Sequence, residues 1–490
     1  MPLSLQTNQN SHKATRMSNI DVKAILFPQL FSEQWKVIIP EFQRPYVWGK
    51  DKAEELLEDF KTHFLLSGTS RGYYYMGNVL YYFNKDTKAY EIIDGQQRIT
   101  TLLIMKSLIN GHLPYYQDLQ YNAGASRRNI KEIKRYFEKH LALLQQLHNA
   151  GFLEHLQFTL ISTQSEDDAF IFFDTQNNRG VKLSATDFLK AYHLRAVKAE
   201  TLQETAAKQW ETASLKGNDG SFLSFLFDNI LWRARNWKGQ KQLFFEDKDA
   251  ILDTFQKQTL KVQDDKDTYL LYPNHLNRHT IKHTWDSEIT PIPTLYFPVP
   301  STPANYPFSI RQPLYKGIHF FKYTEKYVAL YEELFYNPSS DPEIQHLQSF
   351  LKQVYTEDMS KFLRHFMHLC LLMYYDSFGT IALYEAGQCF DYLLGSIRLD
   401  KQQVKREAVR ICLEEHAQNL LDVIAHAYLP GEVFSFIYNL PEVDKIYENE
   451  KLNISDSGVR GRYKSRVLNY FCKDVSFLKN RKSWSNYQPV

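Results

Sequence analysis

The fold of the N-terminal part of the chain is decided by the stretch Tyr90-Glu91-Ile92-Ile93-Asp94-Gly95-Gln96-Gln97-Arg98-Ile99-Thr100-Thr101-Leu102. A short apolar run, typical of a buried strand, leads through Gly95 directly into a helical pattern. The unpaired amides of the first helical turn would therefore point at whatever lies over Gly95. The helix dipole and the missing Cβ atom favour an anion there, and Arg98, Thr100 and Thr101 are suited to bind a phosphate.

This strand-glycine-helix unit has two interpretations from the residues alone. In the first, Asp94 orients Arg98 or holds a Mg²⁺ ion against the phosphates of a bound nucleotide. In the second, Asp94 merely caps the helix and Arg98 is a solvated surface residue. The sequence lacks the glycine-lysine spacing of a Walker-type phosphate loop, so both interpretations stay open at this point.

Apolar periodicity around this stretch predicts a small α+β unit. An amphipathic helix is predicted from Asp51 to Leu66, because apolar residues recur every three or four positions with acids opposite them. A second helix is predicted from about Ile99 to Ile109. Two strands are predicted between these helices, Tyr74–Phe83 and Ala89–Ile93.

The composition is that of an ordinary soluble protein. Apolar residues make up 43% and charged residues 23% of the 490 residues, which excludes a mostly disordered or fibrous chain. The 58 Lys and Arg against 56 Asp and Glu give a net charge of +2, so any nucleic-acid surface must be a local patch. Four widely spaced cysteines fit a reducing cytoplasm, and no apolar leader or long apolar run predicts secretion or a membrane span.

Two further stretches carry groups suited to such a site. Ile38–Trp48 contains two prolines, which favour an extended backbone, and places Gln43 and Arg44 among aromatic rings. Aromatic faces beside arginine suit base stacking, whereas the plain alternative is a strand edge that packs the rings into the core. Phe172–Ser184 contains Asn-Asn-Arg-Gly, which predicts a tight turn with Arg179 at its tip.

Together the three stretches resemble the N-terminal domain of the GmrSD type IV, modification-dependent restriction enzymes. The hallmarks of that family are an Ile-Pro-x-Phe-Gln-Arg-x-Tyr-x-Trp start, an Asp-Gly-Gln-Gln-Arg-x-Thr-Thr-Leu core and an Asn-x-Arg-Gly-x-x-Leu turn. They match this sequence at Ile39–Trp48, Asp94–Leu102 and Asn177–Leu183. The resemblance covers about residues 20–200 and implies a ParB/sulfiredoxin-like fold.

The resemblance implies nucleotide handling, because in relatives the Asp-Gly-Gln-Gln-Arg element binds and hydrolyses an NTP, which couples recognition of modified phage DNA to cleavage. Asp94, Gln97 and Arg98 are the implied catalytic residues, and Gln96 or Gln97 would orient the attacking water. Asp94 is also the implied ligand of Mg²⁺. The implied nucleotide-binding residues are Gln43, Arg44, Asp94, Gly95, Gln96, Gln97, Arg98, Thr100, Thr101, Asn178 and Arg179.

A basic C-terminal stretch is a candidate DNA contact. Lys451–Lys482 carries nine Lys or Arg against two Asp, with aromatic residues between them, which suits phosphate contacts and base stacking. A solvated helical face is the alternative, and it is the favoured interpretation of a smaller basic stripe at Arg127–Lys139. The predicted DNA-binding residues are Arg460, Arg462, Lys464, Arg466, Lys479, Arg481 and Lys482.

The whole chain is therefore predicted to be α+β, with an N-terminal ParB/sulfiredoxin-like domain followed by a mainly α-helical body and a helical C-terminal region. Ser184 with Asp187 forms a capping-box pattern, which predicts that a helix starts at residue 185. The expected segments are a flexible tail (1–20), the nucleotide-binding domain (21–115), a helical extension with the Asn-Asn-Arg-Gly turn (116–230), a loop-rich insertion or linker (231–340) and a helical domain with a basic terminus (341–490).

The leading hypothesis is an NTP-hydrolysing component of an anti-phage restriction system that acts on modified DNA. Many relatives end in a His-Asn-His metal nuclease, which is not found in this sequence, so a nuclease partner and a homo- or hetero-oligomer stay open. One alternative is a DNA-sensing or assembly subunit that binds nucleotide without turning it over. Another is a direct ParB-like nuclease in which Asp94 holds the metal.

Overall fold

The computed structural model describes residues 20–32, 34, 36–66, 72–85, 87–114, 117, 119–121, 124–165, 168–169, 184–216, 221–240, 243–260, 281–285, 291–295, 302–448 and 457–484. The chain divides into two compact units, Met1–Leu183 and Ser184–Val490. The first contains a five-stranded sheet and the second is mainly helical, so the α+β prediction is confirmed. Of the predicted tail at residues 1–20, all but Ile20 lies outside the described residues.

The first unit is built on a mixed sheet with β3 as its central strand. Its elements are β1 (Ile20–Leu26), β2 (Lys36–Ile38), α1 (Lys50–Lys61), β3 (Tyr74–Asn84), β4 (Ala89–Asp94), α2 (Gln96–Asn110), α3 (Gly124–Glu138), α4 (Leu141–Asn149) and β5 (Leu156–Thr163). The strand order is β1-β5-β3-β4-β2. β5 runs antiparallel to β1 and parallel to β3, while β4 runs antiparallel to β3 and parallel to β2.

The elements predicted around the deciding stretch are present. The predicted helix from Asp51 to Leu66 is α1 followed by a π-helical turn, Thr62–Leu66. The two predicted strands are β3 and β4, each one residue longer than expected. The second helix starts at Gln96 rather than Ile99, because Gly95 ends the strand and the helix begins at the next residue.

β5 corrects the expectation that residues 116–230 form a helical extension. Its side chains alternate between buried and half-buried positions, with Leu156, Phe158 and Leu160 facing the core. This period of two is the pattern of a strand with one face packed against other elements. The sheet therefore includes a strand from the segment that was predicted to be a helical extension.

The core of the first unit lies between the sheet and its helices. α1 contributes Leu57 and Phe60, and α2 contributes Leu102 and Met105, all of them buried. Each side chain of this size gains about 1.5–3 kcal/mol when it is fully buried. Buried residues from Gln96 to Met105 consequently fix α2, including its N-terminus, in the core of the first unit.

The second unit contains a series of helices, so the predicted helical body and helical C-terminal region are confirmed. Ser184 accepts a hydrogen bond from the Asp187 amide in the predicted capping box. The elements are α5 (Ala185–Leu194), α6 (Glu200–Ser214), α7 (Phe222–Phe225), α8 (Trp232–Asn236), α9 (Lys248–Leu252), β6 (Ile281–Trp285), β7 (Pro291–Leu295), α10 (Ile318–Phe335), α11 (Pro342–Val354), α12 (Lys361–Phe378), α13 (Leu383–Asp400), α14 (Glu407–Glu415), α15 (Leu420–His426), α16 (Pro430–Tyr438), α17 (Pro441–Glu448), α18 (Gly458–Phe471) and a 3₁₀ segment (Val475–Trp484).

The segment predicted as a loop-rich insertion, residues 231–340, contains the antiparallel pair β6 and β7 and the whole of the long helix α10. The five predicted segments otherwise stay a prediction. None of the helices in the described ranges combines the length and the apolar character needed to cross a membrane.

Candidate functional site

Gly95 forms the turn between β4 and α2. Its backbone has φ 95° and ψ −2°, a left-handed conformation that residues with a side chain rarely adopt. A Cβ atom at this position would also lie 2.8 Å from Val79 Cγ2 on the central strand. The first hydrogen bond of the helix runs from the Ile99 amide to the Gly95 carbonyl, so the amides ahead of Ile99 have no partner within the helix.

The Arg98 guanidinium braces the central strand. It donates to the carbonyls of Met76 and Asn78, with both N···O distances at 2.7 Å, and lies 3.5 Å from the Asp94 carboxylate. These carbonyls flank Gly77, where the pairing of β3 with β5 is irregular. A Cβ atom at Gly77 would lie only 2.3 Å from Arg98 Nη1. Arg98 is thus partly buried and engaged with the sheet, in contrast to the solvated surface residue of the second interpretation.

Gln97 joins the deciding stretch to the segment from Pro45 to Trp48. Its side-chain oxygen accepts from the amides of Val47 (2.9 Å) and Trp48 (3.3 Å), and its nitrogen donates to the Pro45 carbonyl (3.1 Å). Both acceptor sites of the amide oxygen and one of its two N–H donors are therefore used to hold another backbone segment.

Gln43 lies beside the end of β4. Its side-chain nitrogen donates to the Ile93 carbonyl at 2.8 Å, one residue before Asp94, and the residue is 7% exposed. Two stretches that lie about fifty residues apart in the chain are therefore adjacent, as the nucleotide-pocket prediction requires. The neighbouring Arg44 is half-buried.

Thr100 and Thr101 turn inward. Their hydroxyls donate to the carbonyls of Gln96 and Gln97 one turn earlier, at 2.7 and 2.9 Å. Each is also within hydrogen-bond distance of a tyrosine hydroxyl, Tyr121 for Thr100 and Tyr46 for Thr101. Burial raises the pKa of Tyr46 to about 12, so this hydroxyl stays protonated. Both threonines thus support the helix from inside.

Two polar side chains of the Asp94–Leu102 stretch, those of Asp94 and Gln96, are less engaged in hydrogen bonds than the others. The side chain of Asp94 is 31% exposed, so its carboxylate can reach solvent or a ligand. Gln96 is 5% exposed, and its buried Oε1 has no hydrogen-bond partner among the described residues. A buried polar atom without a partner is costly, at about 1–3 kcal/mol, and such atoms call for an explanation.

The helix α3 supports the same site, a contribution that the sequence did not predict. Ser126 Oγ accepts from the Tyr46 amide at 2.9 Å, and Asn129 donates to the Tyr46 carbonyl at 2.7 Å. Tyr46 is completely buried. The buried Ser126 and half-buried Asn129, within an otherwise apolar face of α3, are the local signal that could have indicated this contact.

A metal site is not preassembled in the described part of the chain, since no group of three or more His, Cys, Asp or Glu there is placed to hold an ion. Mg²⁺ commonly binds one or two carboxylates together with phosphates and water, and Asp94 fits that simpler donor set. The predicted residues Asn178 and Arg179 lie outside the described residues.

The predicted DNA-binding cations of the C-terminal stretch contact neighbouring groups of their own unit. Arg462 and Arg466 both bind Asp358, at 2.6 and 3.0 Å, and these two hydrogen-bonding partners lower the pKa of that carboxyl. Arg460 donates to the Asp400 carbonyl at 3.2 Å. The side chains of Arg462 and Arg466 remain 50% and 40% exposed, so they can still meet a phosphate.

Arg481 and Lys464 are placed differently. Arg481 is buried and donates to Asp391 at 2.8 Å, and the Tyr463 hydroxyl donates to the same carboxylate. Lys464 is only 4% exposed. Arg481 cannot reach DNA in this conformation, because leaving its ion pair with Asp391 would strand a buried charge. Lys464 is too buried to contact a phosphate in this conformation. Lys482 is exposed and pairs with Asp444, while the side chain of Lys479 lies outside the described ones.

The fold and this site define the class of the first unit. Residues 27–194 match the family described as GmrSD restriction endonuclease, N-terminal domain, so the chain carries the N-terminal domain of a GmrSD-type restriction enzyme. This match supports its assignment as a component of a restriction system. The chain belongs to the family of unknown function DUF7834, whose family model matches residues 202–454, more than half of the sequence. No curated protein matches the chain.

Proposed function

We propose that the chain is a nucleotide-binding, NTP-hydrolysing component of a restriction system that acts on modified DNA. The observation that carries the proposal is the left-handed Gly95 between β4 and α2, with an accessible Asp94 before it and an unpartnered Gln96 oxygen after it. Helix N-termini that follow a glycine are well suited to phosphate groups. The match of this region to the GmrSD N-terminal domain supports the same proposal.

The residues of the motif divide into two roles in this proposal. The Gly95 turn and the amides that follow it face the phosphates, and Gln96 orients the attacking water. Asp94 holds Mg²⁺, which when bound would neutralise charge on the phosphates. Gln43 and Arg44 form the neighbouring wall. Gln97, Arg98, Thr100 and Thr101 are positioning residues, because their polar atoms already bind the 45–48 segment, the central strand and the helix itself.

A nucleotide assay with matched variants tests the proposal. We expect Mg²⁺-dependent, saturable binding of at least one NTP and phosphate release that rises when modified phage DNA is added. Asp94→Asn and Gln96→Leu should abolish turnover, whereas Asp51→Asn, which removes an exposed carboxylate in the first turn of α1, should not. No saturable binding of any of the four NTPs to the wild-type chain would overturn the proposal.

A second candidate function is a sensor or assembly subunit that binds nucleotide without hydrolysing it, with a nuclease partner that cuts DNA. The specific observation in its favour is that Gln97 and Arg98, two of the three implied catalytic residues, are engaged in structural hydrogen bonds. Tight NTP binding without phosphate release would select this candidate. Mg²⁺-dependent DNA cutting by the single chain, lost in Asp94→Asn, would instead select a direct nuclease.

The exposed C-terminal cations remain part of the proposed DNA contact. Arg460, Arg462, Arg466 and Lys482 carry partly exposed side chains and are retained, with Lys479 as predicted. Replacing Arg462 and Arg466 together with glutamine should weaken DNA binding without changing nucleotide affinity. Equal DNA affinity of this variant and the wild type would remove the C-terminal stretch from the proposal.

A further inference from the structure

We infer that the exposed face of α3 binds the phosphate backbone of duplex DNA. The basic face of α3 consists of six exposed side chains: Arg127, Arg128, Lys131, Lys134, Arg135 and Lys139, the last immediately after the helix end. No C-terminal cation takes part in it. The inference rests on the proposed function only for the choice of DNA as the polyanion.

The helical repeat concentrates these charges on one side. At about 100° per residue, Arg127, Lys131, Lys134 and Arg135 fall within an arc of about 100°. The opposite side of α3 is buried, with Ile133 and Phe137 fully covered in the core. The helix is thus fixed to the first unit by its apolar side and presents its cations to solvent.

The cations of the basic face have no acidic partners. None of the six forms an ion pair with a residue that the structure describes, although Glu132 and Glu138 lie on the same helix. On α1, in contrast, Lys52 and Lys61 pair with acids three residues away, at 2.5 and 3.0 Å. With Glu132 and Glu138 counted, this side of the first unit keeps a net charge of 6 − 2 = +4 along α3. A concentrated positive field attracts a polyanion.

Duplex DNA fits this face better than a membrane does. The nine residues from Arg127 to Arg135 span about 12 Å, over which a duplex presents about seven phosphate charges. An amphipathic helix that binds a membrane surface must insert its apolar side into the lipid. The apolar side of α3 is already buried in the core of the first unit.

Hydrogen bonds through Tyr46 connect the helix of the basic face to the Asp94–Leu102 stretch. Ser126 and Asn129, on the buried side of α3, hold both the amide and the carbonyl of Tyr46, and Tyr46 bonds Thr101 of α2. Gln97 of α2 holds the amides that follow Tyr46. The helix that carries the basic face and Gln97 of α2 therefore hold the same backbone segment, Tyr46–Trp48.

Salt dependence of DNA binding provides the test. Each phosphate contact contributes about −0.9 to the slope of log K against log salt concentration, so replacing three contacting cations should reduce the slope by about 2.7. Between 50 and 200 mM salt, wild-type affinity should then fall about 40-fold more than the affinity of the variant. The probe is a fluorescent 30-base-pair duplex, titrated with the full chain in the absence of nucleotide.

The variants are matched for charge and exposure. The test variant is Arg127→Gln, Lys131→Gln and Arg135→Gln together, and glutamine keeps the helix propensity. The control replaces Lys23, Lys52 and Lys61, which are on the same unit but are paired with acids. Circular dichroism verifies that both triple variants fold, and their nucleotide affinity should equal that of the wild type.

The results expected are a reduced slope for the α3 variant and an unchanged slope for the control. An unchanged slope in the α3 variant, equal reductions in both variants, or no binding of the wild type to duplex DNA would each overturn the inference. Binding to vesicles with 30% anionic lipid but not to duplex DNA would assign the face to membranes and would also overturn it. A reduced slope without any nucleotide binding would support the inference and refute the proposed nucleotide function.

Discussion

Replacing Arg98 with alanine should loosen the central strand of the first unit. The side chain makes two charge-assisted hydrogen bonds, to the carbonyls of Met76 and Asn78, and each bond of this kind is worth about 1.5–3 kcal/mol. Because the guanidinium is partly exposed, the lower end of that range applies, and the exposed ion pair with Asp94 adds little. We expect a loss of about 2–4 kcal/mol in the free energy of local opening.

Hydrogen exchange of the intact protein measures this loss where it occurs. A global unfolding curve would mix the two units of the chain, whereas exchange in peptides covering Tyr74–Asn84 reports the opening of β3. A loss of 2–4 kcal/mol corresponds to exchange that is about 30- to 700-fold faster. Arg98→Lys retains the charge but not the planar fork, so its exchange should be intermediate.

The matched control is Arg127→Ala, which removes an exposed arginine that has no partner among the described residues. Its effect on exchange in β3 should correspond to less than about 0.5 kcal/mol. If exchange in Arg98→Ala stays within threefold of the wild type, the guanidinium does not brace the strand. The assignment of Arg98 as a positioning residue would then be wrong.

Three further expectations concern other contacts. Gln97→Leu removes the acceptor of the Val47 amide, so the first unit should lose about 1–3 kcal/mol and melt earlier in calorimetry; an unchanged melting transition would contradict this. Asp391→Ala strands the buried charge of Arg481, and chemical denaturation should show the second unit destabilised by about 3–5 kcal/mol, with wild-type stability as the opposing result. Burial lowers the pKa of His193 to about 3, below its unfolded value of about 6.5, so the unfolded state takes up a proton first. The stability of the second unit should therefore fall as the pH drops from about 6.5 to 3, and His193→Gln should flatten this dependence; a wild-type pH profile in that variant would exclude His193 as the cause.

The elements of the first unit with strong apolar periodicity could be predicted from the sequence. α1 and the strands β3 and β4 follow simple patterns of buried residues, and the structure contains all three. The start of α2 was placed three residues late because Gln96 and Gln97 are polar but buried, which interrupts the apolar pattern. β5 was missed because its short alternation follows two helices and its partners, β1 and β3, lie more than seventy residues earlier in the chain.

The candidate site could be located from the sequence, but the partners of its side chains could not. The order Asp94-Gly95 before a helix indicated the turn, and the φ of Gly95 agrees with it. The partner of Arg98 depends on the placement of β3 against α2, which is a tertiary contact. A glycine inside a strand often marks a close approach, and Gly77 was the available signal for this one. Buried ion pairs such as that of Arg481 likewise depend on which helices pack together.

The contact between Gly77 and Arg98 has an evolutionary consequence. A Cβ atom at position 77 would lie 2.3 Å from Arg98 Nη1, and the φ of +95° is strained for any residue with a side chain. A change at this glycine therefore costs least when position 98 becomes smaller at the same time. The two positions should therefore show strong epistasis in a library that varies both, with alanine at 77 tolerated better beside a short residue at 98. In descendants of a common ancestor, the pair should be inherited or replaced together.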